Sequence, residues 1–328
     1  MELSIIDVGP LCGKGGVSEA AAAHIGKACR ESGFFYAVGH GVDEGLQTRL
    51  FESSRQFFEL DKATKLAIDM KHGGRAWRGF FPLGRELTSG LPDLKEGLYF
   101  GAELAPEHPL VREGTPLHGP NLFPAAVPTL RSCVLDWMAA MTQLGHALTA
   151  GISLSLGLDS AWIADHLTRD PLILFRIFHY PPRQAADPDE AWGVGEHTDY
   201  GLLTILAQDE AGGLEARSRG VWIDVPPIQG AFVCNIGDML DRLTGGHYRS
   251  TPHRVRPAGQ RGRLSLPFFF DPGFAARLEP IQAAAPQAII ADRADRWDRL
   301  SVHEIRGTYG EYLLDKVSRV VPELARSF

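Results

Sequence analysis

No stretch of this 328-residue chain is apolar over the roughly 18 residues that a membrane helix needs. Its four cysteines, Cys12, Cys29, Cys133 and Cys234, lie far apart and form no CxxC pair. A disulfide framework or a thiolate zinc site would need closer or more regular spacing, so reduced, partly buried thiols are expected. No block of charge has a single sign. Charged residues make up 22% of the chain and the net charge is −7, a balance that repels phosphate backbones and argues against a nucleic-acid partner. There is no internal repeat and no low-complexity linker. The first residues, Met1-Glu2-Leu3-Ser4-Ile5-Ile6-Asp7, are neither basic nor followed by a signal-like apolar stretch, which predicts a cytoplasmic protein.

What the chain does have is 44% hydrophobic residues, enough for one large core. The first half reads mainly as helix. Ser18 can cap a helix running to about Glu31, and Asp43 can cap one that carries Leu46, Leu50 and Phe57 on one face. Between them, Gly33 to Val38 reads as a strand. A Gly- and Pro-rich region from Gly73 to about Pro128 reads as long loops of the kind that rim a site. Leu130, Val134, Trp137, Met141, Leu144 and Leu148 then recur at steps of three and four, predicting a long helix with one apolar face. The second half changes character. Short apolar runs at Leu172–Tyr180, Leu202–Ala207, Trp222–Val225, Ala231–Ile236, Arg254–Arg256 and Arg263–Phe270 alternate with turn residues. That pattern indicates an antiparallel sandwich or jelly roll, and a last helix from about Thr308 to Val317 completes an α+β plan.

His197-Thr198-Asp199 precedes the run Leu202–Ala207. On a strand, side chains two apart share a face, so His197 and Asp199 can reach one ion together. His253 follows 54 positions after Asp199 and opens another apolar run. Two imidazoles and one carboxylate on one side of an octahedral ion leave the other side open, as in non-haem Fe(II) oxygenases. A structural zinc site would want four protein ligands. An HxD pair alone also fits a hydrogen-bonded histidine beside a turn aspartate. Arg263 and Ser265 share a face of another strand and can hold a carboxylate through charge-assisted bonds; an edge arginine paired with a nearby acid would read the same way. Arg176, Phe178 and Tyr180 share a face of a third strand, which Pro181 and Pro182 end. The Tyr180 hydroxyl could add a donor to the same carboxylate.

Together these residues resemble the isopenicillin N synthase-like family of Fe(II)- and 2-oxoglutarate-dependent dioxygenases. The resemblance runs through Gly33–Val42, Asp93–Gly97, Gly195–Thr204, Asn235–Asp238, Ser250–His253 and Arg263–Ser265. It implies a double-stranded β-helix, or jelly roll, buttressed by helices. Residues 1–125 would form an N-terminal helical and loop region. Residues 126–328 would carry the long helix, the catalytic core and the C-terminal helix of the same compact unit. The resemblance implies His197, Asp199 and His253 as iron ligands, and Arg263, Ser265 and Tyr180 as the holders of 2-oxoglutarate, with dioxygen as the oxidant. Asn235-Ile236-Gly237-Asp238 would be a structural turn. In many members an Asn stands where this chain has Phe178, so a polar neighbour of the co-substrate becomes an apolar wall. This departure either alters the co-substrate pose or reflects an apolar substrate.

The implied activity is oxidation of a small molecule, by hydroxylation, desaturation or ring closure, with release of succinate and carbon dioxide. A co-substrate-independent oxidase of the isopenicillin N synthase type and a non-catalytic binding barrel are the alternatives. Arg75-Ala76-Trp77-Arg78-Gly79-Phe80-Phe81 and Arg85 either line the mouth, suiting a small anionic or amphipathic substrate, or serve as loop anchors and surface charges.

Overall fold

The computed structural model describes residues 2–13, 18–88, 90–185, 187, 191–218, 220–281, 296 and 300–320. Its centre is a pair of β-sheets. The larger has eight strands in the order Ser4–Asp7, Phe34–Val38, Phe232–Ile236, Leu203–Gln208, Arg263–Asp271, Leu172–Tyr180, Glu96–Gly101 and Gly79–Phe81. The smaller has four, in the order Val221–Asp224, Leu214–Ser218, His253–Val255 and Val194–His197. Every pairing is antiparallel except that of Ser4–Asp7 with Phe34–Val38. Strands far apart in sequence sit side by side, so the fold is a mixed α+β jelly roll. Among the described residues, no helix is long and apolar enough to cross a membrane.

Alternation along the strands explains why the barrel is both packed and hollow. On Arg263–Asp271, the residues Leu264, Leu266, Phe268 and Phe270 are buried on one face. The other face presents Arg263, Ser265, Pro267, Phe269 and Asp271 to an interior cavity of about 140 Å³. Leu172–Tyr180 does the same with Leu174, Arg176, Phe178 and Tyr180.

The helices close the outer side of the large sheet. Thr129–Ser155 buries all six of its predicted apolar positions and packs against Glu19–Glu31 and Glu44–Phe58. The helix lies so close to the sheet that a Cβ on Gly145 would fall 2.6 Å from the Phe270 ring. Ser18 and Asp43 cap the two shorter helices through their side chains, as their sequence positions predict. All four cysteines are free thiols and three of them are buried.

Three expectations are corrected. The region from Gly73 to Pro128 is not all loop: Gly79–Phe81 and Glu96–Gly101 extend the large sheet. A strand buried on both faces has no polar alternation, which hides these runs in the sequence. The predicted run Arg254–Arg256 lies one residue earlier, at His253–Val255. Finally, His197 and Asp199 do not share a strand. The strand Val194–His197 ends at the histidine and Asp199 lies in the turn after it.

Candidate active site

The smaller sheet brings the two histidines together. His197 and His253 are direct cross-strand partners, with ring centroids 4.2 Å apart. The turn after His197 swings Asp199 back toward them. Its Oδ1 lies 3.9 Å from Nε2 of His197 and 3.7 Å from Nε2 of His253. One ligand atom from each of the three residues lies within 4.8 Å of the other two.

Hydrogen bonds behind these atoms set their chemistry. Nδ1 of His197 donates to the Gly195 carbonyl at 2.8 Å, and Nδ1 of His253 to the Thr251 carbonyl at 3.1 Å. A carbonyl accepts only from a protonated nitrogen, so each Nε2 keeps its lone pair facing the shared point. Oδ2 of Asp199 accepts from the Thr204 hydroxyl at 2.6 Å and from Nδ2 of Asn235 at 2.7 Å. That leaves Oδ1 free to act as a single-oxygen ligand. Burial, followed by the neighbouring His253, pulls the His197 imidazole down to about 3, which keeps it neutral. Burial alone would raise the Asp199 carboxyl. The two histidines and the hydrogen bonds from Asn235 and Thr204 outweigh it, and the carboxyl sits below its ordinary range.

Arg263, Ser265 and Tyr180 lie on the wall of the same cavity, all buried. Arg263 and Tyr180 are cross-strand partners, and the guanidinium carbon sits 4.7 Å from the centre of the tyrosine ring. Nη2 of Arg263 donates to Gln208 at 3.2 Å, but Nε and Nη1 are buried with no hydrogen-bond partner. A buried guanidinium with two idle donors is poised for a planar anion, which is what the distal carboxylate of 2-oxoglutarate offers. Phe178 also faces the cavity and lies opposite Ser265 in the register. Its ring is edged by Phe81, Tyr99 and Tyr180, and Nζ of Lys95 lies 5.0 Å from its centre. Burial opposes the charge on Lys95, but Asp93 and Glu86 outweigh it, and Glu86 pairs with the ammonium at 2.9 Å.

Some functional residues are not legible in the sequence. Asn235 and Ile236 end a strand, and Gly237 starts the short helix Asp238–Leu243, so the motif is a strand end rather than a tight turn. Asn235 is no spacer either, because it holds the Asp199 carboxylate. Thr204 faces the cavity on Leu203–Gln208, and period-two alternation from Leu202 could have flagged it. Of the predicted mouth residues, Trp77 and Arg78 line the cavity. Phe80 and Phe81 are core, and Arg85 pairs with Asp69 at 2.9 Å.

Residues 172–272 match the 2OG-Fe(II) oxygenase superfamily, and residues 3–126 match the N-terminal model described as non-haem dioxygenase in morphine synthesis. A "probable iron/ascorbate oxidoreductase" of Dictyostelium discoideum is 47% identical over 92% of this chain and 88% of its own. The chain belongs to the 2OG-Fe(II) oxygenases. The 1-aminocyclopropane-1-carboxylate oxidase of the same organism is 36% identical over 98% of this chain and 96% of its own. Among solved structures, a full-length Neurospora crassa protein in complex with alpha-KG and thymine superposes with a TM-score of 0.78 at 25% identity, covering 99% of this chain and 97% of that one. This oxygenase is therefore an enzyme of a family that uses Fe(II), 2-oxoglutarate and dioxygen.

Proposed function

We propose that this oxygenase hydroxylates a small molecule in the barrel cavity. In this reading His197, Asp199 and His253 hold the Fe(II), while Arg263, Ser265 and Tyr180 hold the distal carboxylate of 2-oxoglutarate. The observation that carries it is the buried guanidinium of Arg263, with two unpartnered nitrogens in the cavity that the His-Asp-His cluster lines. When bound, Fe(II) with 2-oxoglutarate and dioxygen supplies the oxidant, and 2-oxoglutarate leaves as succinate and carbon dioxide.

The chain's own residues do the rest. Asn235 and Thr204 occupy one oxygen of Asp199, so the carboxylate presents a single oxygen and the open side of the cluster stays open. Arg263 and Tyr180 sit at one end of their strands, with Ser265 next along, and fix the reach of a five-carbon diacid. Leu174, Phe178 and Phe269 form apolar walls that hold a substrate body and exclude water. A cytoplasmic setting fits the four free thiols.

Fe(II)-loaded protein should form succinate from 2-oxoglutarate and take up dioxygen, with one succinate per hydroxylated product. The direct-oxidase alternative expects turnover in dialysed enzyme given no keto acid. Such turnover would replace the co-substrate assignment while leaving the metal cluster intact. Desaturation or ring closure would show as a product two mass units lighter than the substrate rather than sixteen heavier.

A further inference from the structure

Among the described residues, one cation in the cavity wall has no ion-pair partner and no hydrogen bond. Arg176 projects from the middle of Leu172–Tyr180 into the cavity, between Leu174 and Phe178 on the same face. Aromatic rings hold it: its guanidinium carbon lies 4.2 Å from the centre of Tyr99 and 4.9 Å from that of Phe269. A guanidinium stacked on rings keeps the N–H groups around its edge free, in the fork geometry that matches a carboxylate.

Two further donors stand idle nearby. The Tyr99 hydroxyl is buried without a partner, and Tyr99 is the cross-strand neighbour of Arg176. Arg78 is 1% exposed, spends Nη2 on the Leu117 carbonyl at 2.7 Å, and leaves Nε unpartnered. Burial draws Arg78 down to about 10; Glu103 offsets this only in part, and the charge of Arg176 adds to it.

A charge balance shows what is missing. Fe(II) with Asp199 leaves one positive charge, and the two carboxylates of 2-oxoglutarate together with Arg263 bring that group to neutrality. Lys95 is already matched by Glu86 and Asp93. Asp271, the remaining acid in the wall, makes no ion pair with Arg176; its carboxyl accepts from Tyr309, and burial pushes it up to about 7. Arg176 therefore remains uncompensated after the proposed co-substrate is in place, with the buried Arg78 beside it. Buried charge without a partner is costly, and cavities that hold it bind the counter-charge.

We propose that the primary substrate is a small carboxylic acid with an apolar body, and that Arg176, with the Tyr99 hydroxyl and Arg78 behind it, receives its carboxylate. This rests on the reading of the cavity as the oxygenase site. It makes Arg176 the residue that sets specificity for charge, while Leu174, Phe178 and Phe269 accept the body.

The test uses anaerobic enzyme loaded with Fe(II) and 2-oxoglutarate, titrated calorimetrically with two matched pairs: 3-phenylpropanoate against 3-phenylpropanamide, and hexanoate against hexanamide. In wild type each acid should bind about ten- to a hundredfold more tightly than its amide, the range for a hydrogen-bonded charge. Arg176→Met should erase that preference while Fe(II) and 2-oxoglutarate affinities stay within about twofold. Arg176→Lys should restore part of it, and Tyr99→Phe should reduce it severalfold. Equal binding of acid and amide by wild type, or no binding of either acid, overturns the proposal without any variant. So does an acid preference that survives Arg176→Met in protein that still takes up Fe(II) and 2-oxoglutarate. Failure of wild type to bind Fe(II) and 2-oxoglutarate, measured before either probe is added, would overturn the oxygenase reading itself and is a separate signal.

Discussion

Replacing Arg263 with methionine separates a ligand grip from a structural pillar. The guanidinium is 3% exposed, with one hydrogen bond to Gln208, a stacking contact with Tyr180 and two idle donors. Each unsatisfied buried donor costs about 1–3 kcal/mol. The stacking contact contributes about 0.5–2 kcal/mol and the single hydrogen bond about 1 kcal/mol. The opposing effects nearly cancel, so Arg263→Met without ligand should melt within a few degrees of wild type. The ligand-bound state should differ sharply. Saturation of wild type with 2-oxoglutarate at about a hundred times its Kd stabilises by about 2.7 kcal/mol. At about 2.1 cal/mol/K of unfolding entropy per residue, that is a rise in Tm of about 4 °C for a chain of 328 residues. The variant should lose most of that rise, because losing a charged hydrogen bond weakens the ligand by about ten- to a hundredfold or more. Differential scanning calorimetry with Mn(II) in place of Fe(II) avoids turnover and reads both effects. A full ligand-induced rise in Arg263→Met would refute the role of Arg263 in holding the co-substrate. A ligand-free variant melting many degrees low would show that the arginine holds the barrel together.

Other perturbations probe the remaining assignments. Asp199→Ala should reduce bound iron to a small fraction of one per chain, and Asn235→Ala should weaken the metal by about ten- to a hundredfold through the freed carboxylate oxygen; wild-type metal content in Asp199→Ala would refute the ligand set. Phe178→Asn should change the ratio of product to succinate and, because the ring packs against Phe81, Tyr99 and Tyr180, lower stability by about 2–4 kcal/mol. An unaltered ratio would remove Phe178 from the chamber's chemistry. Asp271 titrates near 7 in the fold, against 3.8 as its ordinary value, because burial disfavours the carboxylate. The folded state thus holds its proton longer than the unfolded one, and this contribution to stability is full below about 4 and lost as pH rises to about 7. The Tm of Asp271→Asn minus that of wild type should climb across that window and then level off. A flat difference would show that Asp271 is not raised.

The sequence discloses some of this architecture and conceals the rest for physical reasons. The strand Leu172–Tyr180 and the helix around Leu130–Leu148 are legible because their patterns are local: alternation bounded by proline, and apolar steps of three and four. Glu96–Gly101 is not, because nearly every residue in it is buried, and a strand covered on both faces reads as an unpatterned apolar run. Leu214–Ser218 escapes notice because Glu215 and Arg217 interrupt it, although they pair with Arg254 and Glu196 across the small sheet.

The metal cluster is legible through a premise that the fold does not honour. On the sequence, His197 and Asp199 meet the ion because strand residues two apart share a face. In the fold, one ends a strand and the other lies in a turn. Their convergence depends on what sequence spacing cannot express. The pairing of His253 with His197 sets the two rings side by side. Thr204 and Asn235, which are themselves paired across two strands of the opposite sheet, then draw Asp199 toward them. The carboxylate is thus held by the large sheet and the imidazoles by the small one, and the ion site bridges the two. A change that shifts one sheet against the other must alter the ligand distances even when no ligand is touched. Metal affinity is therefore a sensitive measure of how well the two sheets are docked.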